Sequence, residues 1–245
     1  MKLKVLGSSS SGNCYILEAK NSALIIECGV KFIEVKKALD FNTSVISGAI
    51  VSHLHGDHSK YIYEYANAGI DVYIQGKTFP SLENNGIHRR IYPFINDIKF
   101  QLFGFNIYPF ELKHDVPCSG FIIYNFECGN TLFLTDTHYC PYRFKNLNNI
   151  IIEANYDNDM LEENIFEGRI PEIVRNRVIN SHMSIETCKN LLKANDLSRV
   201  NNIVLIHLSG GNSNAIRFKK EVEDLTGKQV YIAEKNLIID FNTHF

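Results

Sequence analysis

Apolar residues along the chain fall into short runs, and the runs set out an alternation of strands and helices. Lys2 to Leu6 alternates, and Cys14 to Leu17 and Ala23 to Cys28 are apolar stretches separated by a polar turn at Lys20-Asn21-Ser22, which predicts three strands. Phe32, Val35 and Leu39 fit a short helix. Gly48 to Ser52 predicts a small buried strand, Tyr61 to Ala68 a helix and Asp71 to Gln75 a strand. Ile98 to Leu112 predicts a strand pair broken near Gly104. Gly120 to Thr135 predicts a pair around a Gly129-Asn130 turn, and Ile150 to Ala154 a further buried strand. From about Asn158 the pattern turns helical. Ser184 is placed to cap a helix running to about Asn195, with Glu186 in its first turn. Asn202 to Ile206 predicts a strand, Ser213 to Leu225 a helix ended by Gly227, and Val230 to Phe241 a last strand or pair. No linker divides the chain, so the pattern points to one α/β domain, sheets covered by helices.

Composition narrows the class. The 245 residues are 45% hydrophobic and 21% charged, with a formal net charge of -2, which excludes a disordered chain. No apolar run approaches the roughly 20 residues of a membrane span. The start, Met1 to Gly7, has too short an apolar stretch for a secretory signal, and a cytoplasmic protein is expected. Six cysteines, Cys14, Cys28, Cys118, Cys128, Cys140 and Cys188, include no C-x-x-C pair and are too sparse for a disulfide scaffold. They read as reduced, buried small residues. The near-neutral charge argues against a protein that coats DNA nonspecifically, while leaving room for an enzyme with a local basic rim.

Chemistry concentrates after the strand at Gly48. His53-Leu54-His55-Gly56-Asp57-His58 puts three histidines and one aspartate within six residues. His53 and His55 are two apart, so an extended backbone presents both imidazoles on one side. Gly56 is expected to let the chain turn and re-aim Asp57 and His58. One short loop could then address two neighbouring ions. Of the nine histidines, three others follow strand-like segments: His114, His182 and His207; Asp136 also ends a strand. Strand ends present ligands with fixed geometry. His88, His138 and His244 lie outside any such context.

The order His-x-His-x-Asp-His, then a His, an Asp and a His, resembles the metallo-β-lactamase fold superfamily. The Ser-rich opening Leu6 to Asn13, His114-Asp115, Thr135-Asp136-Thr137, Glu153-Ala154-Asn155-Tyr156-Asp157, Met160-Leu161, His182-Met183-Ser184 and His207-Leu208-Ser209 resemble its WalJ/YycJ-like exonuclease branch. The resemblance spans nearly the whole chain and implies a four-layer αββα sandwich over residues 1–245, with the site at one edge between two sheets. It also implies a two-metal phosphodiesterase, and for this branch a DNA exonuclease acting from 5′ ends. Carried over, His53, His55 and His114 would hold one divalent ion, and Asp57, His58 and His207 the other. Asp136 would bridge them, and His182 would stand beside the substrate phosphate. Asp57 and His182 are the expected catalytic residues.

Three departures from the family pattern stand out. Glu27-Cys28-Gly29 replaces the usual Asp-x-Gly. His138 follows Thr137 where Gly is usual, and is expected to face solvent. Met183 replaces Leu, a volume-conserving change. Five histidines and two aspartates suit Zn²⁺ or Mn²⁺. No cysteine belongs to the set, with Cys14 and Cys28 the two expected nearby. Two such ions would activate a water for in-line attack on phosphorus, with Asp57 taking its proton and His182 neutralising the phosphate or protonating the leaving oxygen.

DNA is expected as substrate rather than RNA. Arg89-Arg90, then Arg169, Arg175 and Arg177, and Arg217, Lys219 and Lys220 are candidate basic sets. The Ser8 to Ser11 loop could offer backbone N–H groups to the site. The competing expectation is a thioester or lactone hydrolase built on the same metal core.

Overall fold

The computed structural model describes residues 1–85 and 89–242; His88 and His244 lie outside them. In chain order the elements are β1 (Lys2–Gly7), β2 (Cys14–Glu18), β3 (Ala23–Ile26), α1 (Phe32–Ala38), β4 (Ile46–Ile50), α2 (Gly56–Ser59), α3 (Ile62–Asn67), β5 (Val72–Gln75) and β6 (Ile91–Phe94). There follow β7 (Phe100–Leu102), β8 (Phe105–Leu112), β9 (Cys118–Asn125), β10 (Gly129–Leu134), β11 (Leu147–Glu153), α4 (Asn158–Phe166), α5 (Glu172–Ser181) and α6 (Ile185–Lys193). The last are β12 (Asn202–Ile206), α7 (Ala215–Thr226), β13 (Gln229–Ile232) and β14 (Ile238–Asp240).

The strands form two seven-stranded mixed sheets, ordered β14-β1-β2-β3-β4-β5-β6 and β13-β12-β11-β10-β9-β8-β7. Three apolar layers follow from that arrangement. Leu3, Leu17, Ile26 and Ile50 of the first sheet meet Phe121, Phe133, Ile151 and Val204 of the second in a fully buried layer between them. The opposite face of the first sheet packs on Phe32 and Val35 of α1 and Tyr65 of α3. The opposite face of the second packs on Cys188 and Leu192 of α6 and Phe218 and Val222 of α7. Strands buried on both faces carry near-continuous apolar runs, as in Ile150-Ile151-Ile152. The result is the αββα sandwich that the resemblance implied.

Topology places one edge of this sandwich for chemistry. In the second sheet β8 is antiparallel to β9 and β9 to β10, while β10, β11 and β12 are parallel. So β8, β10, β11 and β12 all end at the same edge. In the first sheet β4 runs parallel to its neighbours β3 and β5. The end of β4 is tied across to that edge, where the Ser119 amide donates to the Ser52 carbonyl at 3.0 Å. Crevices at the carboxyl ends of strands are the usual ligand sites of such sheets.

Several boundaries differ from expectation for local reasons. β3 stops at Ile26, not Cys28, because Glu27 turns to φ 69. β4 begins at Ile46 and Ser52 lies beyond its end; the Ser52 amide leaves the ladder for the Glu27 carboxylate, 3.3 Å from both oxygens. The β9–β10 hairpin reverses at Phe126 to Cys128 rather than at Gly129-Asn130, closed by the Cys128 amide on the Asn125 carbonyl at 3.2 Å. Gly129, at φ 67, already belongs to the return strand. β6, unanticipated, is an edge strand that tolerates Pro93. The terminal segment is no hairpin: β13 and β14 join opposite sheets.

Candidate metal centre

The loop after β4 carries the first ligands. His55 keeps an extended conformation (φ -66, ψ 149) and caps α2, so His53 and His55 project together, their ring centroids 4.7 Å apart. Gly56 does not supply a left-handed turn, and a Cβ there would meet nothing. Asp57 and His58 are instead re-aimed by the helical turn that begins at Gly56. A different glycine matters. A Cβ on Gly29 would come within 1.8 Å of the Asp57 carbonyl oxygen and 2.5 Å of the Asn13 amide. Here the Gly29 backbone lies directly against the ligand loop, and the amides of Asn13 and Cys28 donate to the carbonyls of Asp57 and His58, each at 2.7 Å.

His114, Asp136 and His207 enter from the ends of β8, β10 and β12. Asp136 (φ 48) and His207 (φ 55) occupy the left-handed region, where non-glycine residues carry strain that surrounding contacts must offset. For His207 those contacts are Ser8 Oγ, which accepts its backbone N–H at 3.0 Å, and the Asn155 amide, which donates to its carbonyl at 2.7 Å and faces Nδ1 at 3.1 Å. The Ser8 to Ser11 loop thus reaches the centre through a hydroxyl on the His207 backbone.

All seven sequence-predicted ligands converge. His53, His55, His114 and Asp136 each offer an atom within 4.8 Å of the others, and so do Asp57, His58, Asp136 and His207. His114 Nε2 is 3.1 Å from His55 Nδ1, and Asp136 Oδ2 is 3.2 Å from His53 Nε2. In the second group Asp57 Oδ2 is 3.2 Å from His58 Nε2 and 3.1 Å from His207 Nε2. Asp136 Oδ2 also lies 2.9 Å from His58 Nε2, so one oxygen faces both groups. Two ligands about 2.0–2.1 Å from one ion at the tetrahedral angle stand roughly 3.3–3.4 Å apart, close to these separations.

The donor atoms fit a cation. His53 Nδ1 is 2.9 Å from Ser52 Oγ, whereas its Nε2 is buried without a hydrogen-bond partner. Orienting one imidazole nitrogen and leaving the other for an ion is the usual ligand arrangement. Burial, reinforced by His58, lowers the pKa of His53; burial and the neighbouring His53 push His114 down to about 4. Both are then neutral, the form that binds metal. Burial also works against the charged forms of His58 and His207, but Asp136 overrides it and both are raised. Although burial would raise Asp57, hydrogen bonds from His207 and His58 hold its carboxyl well below the usual range. The carboxylates thus draw positive charge to this edge.

Residues outside the expected set complete the surroundings. Glu27, fully buried, places Oε1 3.5 Å from His58 Nδ1, so the longer side chain still reaches the ligand that an Asp would serve. The Asn13 amide lies 3.1 Å from both Asp57 Oδ2 and His58 Nε2. Cys28 touches the loop through its backbone, but the thiol nearest a ligand ring is Cys118, with Sγ 3.8 Å from His53 Nδ1. His138 Nδ1 donates to the Asn180 carbonyl at 3.0 Å, so it is neither in the ligand groups nor simply in solvent. Glu27 and His138 were marked by their departure from the family pattern, whereas the Asn13 and Cys118 contacts had no spacing signal, because each depends on a tertiary contact.

His182 follows a helix, α5, rather than the expected strand-like segment, and stacks on His207 at 5.3 Å between ring centroids. Its Nδ1 is 2.7 Å from Glu153 Oε1 and 3.5 Å from Asp136 Oδ1. Asp136, Glu153, His182 and His207 could also be grouped around an ion. The same His182 Nδ1 is within hydrogen-bond distance of Glu153 Oε1. Against burial, the Glu153 and Asp136 charges raise His182 to about 10.

Most of the nominated basic residues are already paired. Arg90 bonds Asp71 at 2.7 Å, Arg169 bonds Asn164 at 2.8 Å, Arg175 bonds Glu162 at 2.6 Å and Arg217 bonds Asp157 at 2.7 Å. Lys219 sits 3.7 Å from Glu223. Arg177, together with Arg143 and Lys113 that the sequence reading passed over, makes no side-chain ion pair among the described residues.

Two facing sheets whose carboxyl edge gathers a His/Asp cluster able to bind metal ions define a metal-dependent hydrolase. The family model described as the beta-lactamase superfamily domain matches residues 24–208, and the chain belongs to that superfamily. It is 25% identical to the exodeoxyribonuclease WalJ of Streptococcus pneumoniae, over 99% of this chain and 93% of that protein. It is 26% identical to the exodeoxyribonuclease YycJ of Bacillus anthracis, over 87% of this chain and 84% of that one. The metallo-beta-lactamase fold protein YhfI from Bacillus subtilis shares the fold with a TM-score of 0.75 at 16% identity, covering 97% of this chain and 98% of its own.

Proposed function

We propose that this protein is a metal-dependent DNA exonuclease that acts from 5′ ends. The observation that carries the reading is a buried carboxylate, Asp136, whose Oδ2 faces two ligand groups at once, in a chain whose relatives are named exodeoxyribonucleases. We assign His53, His55 and His114 to one divalent ion, Asp57, His58 and His207 to a second, and Asp136 to both, with Zn²⁺ or Mn²⁺ as the candidates. When bound, such a pair lowers the pKa of water and offsets charge that builds on a phosphate under attack.

The protein's own groups do the rest. Asp57, held ionised, would help hold an ion through Oδ2, the oxygen that faces His58 and His207, while its other oxygen would orient the attacking water and take up its proton once the water is acidified. Glu153 fixes the His182 ring through Nδ1, which leaves Nε2 to neutralise a phosphate oxygen or protonate the leaving oxygen. Asn13 and Glu27 hold the Asp57–His58 pair in place from the sheet side. Residues 1–245 act as one domain, because ligands drawn from both sheets meet at one edge. Six buried free thiols fit a reducing cytoplasm, and among the described residues no helix is long and apolar enough to cross a membrane.

The test is digestion of end-labelled single- and double-stranded DNA, with RNA and a thioester alongside, by protein loaded with Zn²⁺ or Mn²⁺. Early release of a 5′ label as short product, with the 3′-labelled strand shortening progressively, is expected. Thioester cleavage without DNA cleavage under every metal would establish the competing hydrolase instead.

A further inference from the structure

The segment that leaves Asp136 builds a feature that the metal chemistry does not use. Tyr139, Tyr142 and Arg143 face Thr187, Asn190 and Leu191 of α6 across an open cleft of about 370 Å³, within the size range of small-ligand sites. Tyr139 is 51% exposed and Tyr142 40% exposed. The Tyr142 ring is held from behind, edge-on to Phe110 at 5.5 Å and 6.5 Å from Phe144. Arg143 is exposed and makes no side-chain contact with an acid among the described residues. Two accessible aromatic rings, an unpaired guanidinium and two polar side chains therefore border one concavity.

Both walls are anchored to the reaction centre by the same buried carboxylate. The Thr137 amide donates to Glu153 Oε2 at 3.3 Å, and Thr137 Oγ1 lies 2.9 Å from the carbonyls of both Tyr139 and Lys113, between which its one proton is shared. On the other wall, the Met183 amide donates to Glu153 Oε2 at 3.2 Å, and the next residue, Ser184, caps α6 by accepting the Thr187 amide at 3.1 Å. Glu153 Oε1 meanwhile holds His182. Tyr139 is three residues beyond Asp136, so the chain keeps the two within about 11 Å. That is about three steps of a stacked strand at 3.4 Å each.

We propose that this cleft is a nucleobase subsite that seats one of the first few bases of the DNA strand, stacked against Tyr139 and Tyr142, with Arg143 on the adjoining phosphate and Asn190 and Thr187 at the base edge. The proposal rests on the DNA exonuclease reading and adds to it how the strand is gripped. Stacking on an aromatic ring tolerates every base, since each has a π-face, and an exonuclease must pass any sequence through its site. A single carboxylate that positions both walls and His182 keeps the gripped base in register with the reacting phosphate.

The experiment is an abasic scan. Single-stranded DNA oligomers carrying one abasic nucleotide at each of the first four positions are digested by the wild type and by a Tyr139→Ala/Tyr142→Leu variant, and kcat/KM is compared with intact DNA. Leu keeps an apolar group against Phe110, and circular dichroism checks the fold. Arg143→Ala combined with Tyr139→Leu provides a second variant should the first not fold. At one position the wild type is expected to lose about five-fold or more in kcat/KM, the lower end of what base–aromatic stacking contributes, and the variant is expected to lose most of that penalty. A wild type indifferent to abasic sites at all four positions, or a penalty unchanged in a folded variant, overturns the subsite while leaving the exonuclease reading intact. A wild type that digests no intact DNA overturns that reading itself, and the subsite with it.

Discussion

Glu27, Asp136 and His207 all sit at positive φ, between 48 and 69, and all three belong to the metal cluster or touch it. Left-handed backbone at Asp or His is uncommon but accessible; here it turns each side chain off the end of a strand and into the shared edge. Four of the seven candidate ligands were the most legible in sequence, because His-x-His-x-Asp-His compresses three histidines and an aspartate into six positions. Their supports were not. Asn13 and Asn155 look like ordinary loop asparagines until tertiary structure brings them to Asp57, His58 and His207. Partners of this kind tune metal affinity by about 10- to 100-fold. Asn13→Ala should therefore weaken binding to that extent in a metal titration, with the fold retained.

His182 calls for a different signature. His182→Ala should keep full metal content by elemental analysis while turnover falls by about 10²- to 10⁴-fold; loss of metal would make it a ligand. Its titration gives a second reading in chelated protein. Because the folded value lies near 10 and the ordinary value is 6.5, its contribution to stability is complete below about pH 6.5. It is lost as pH rises through about 10. The urea midpoint of the metal-free wild type should thus fall, relative to His182→Gln, across that window, and parallel curves would remove the His182–Glu153 pair as a stabilising contact.

At the scale of elements, apolar periodicity was a good guide wherever local rules decide the outcome. Asn202–Ile206 is a strand with the expected ends, Ser184 does cap α6, and Gly227 ends α7 in the left-handed conformation at φ 63. It failed where a neighbouring element decides. Val230 to Phe241 read as one strand or a pair, and the two strands it forms, β13 and β14, join opposite sheets; β6 is short, carries a proline and exists because β5 offers it an edge. The turn expected of Gly56 is made by α2, and the glycine the loop depends on is Gly29, whose importance shows only when the loop is packed against it. Gly29→Ala places a methyl where the Asp57 carbonyl already stands. It should disrupt the Asp57–His58–His207 group before the sheets, reducing bound metal with a smaller change in far-ultraviolet circular dichroism. Gly56→Ala, with open space around it, should leave metal content near that of the wild type.

For the molecule as a whole, the sandwich explains how residues 53, 114, 136 and 207 reach one place. β4 in one sheet and β8, β10 and β12 in the other end at a common edge, joined there by the Ser119–Ser52 bond. A sequence of net charge -2 can still present a cationic face, because the ions it would hold add positive charge at the cleft. Which lysines and arginines remain free to meet DNA was not legible, since pairing with Asp71, Asp157 or Glu162 depends on neighbours distant in sequence. Removing Lys113 or Arg177, which make no side-chain ion pair among the described residues, should weaken DNA binding and reduce its salt dependence by about one unit of log–log slope each. Arg90→Ala should change that slope less.

Sharing of Asp136 between two ions can be read by native mass spectrometry of the metal-loaded protein. Two ions per wild-type chain are expected, one in His114→Ala or in His207→Ala, and loss from both positions in Asp136→Ala. A wild type that saturates with a single ion, or an Asp136→Ala protein that still carries two, would contradict it.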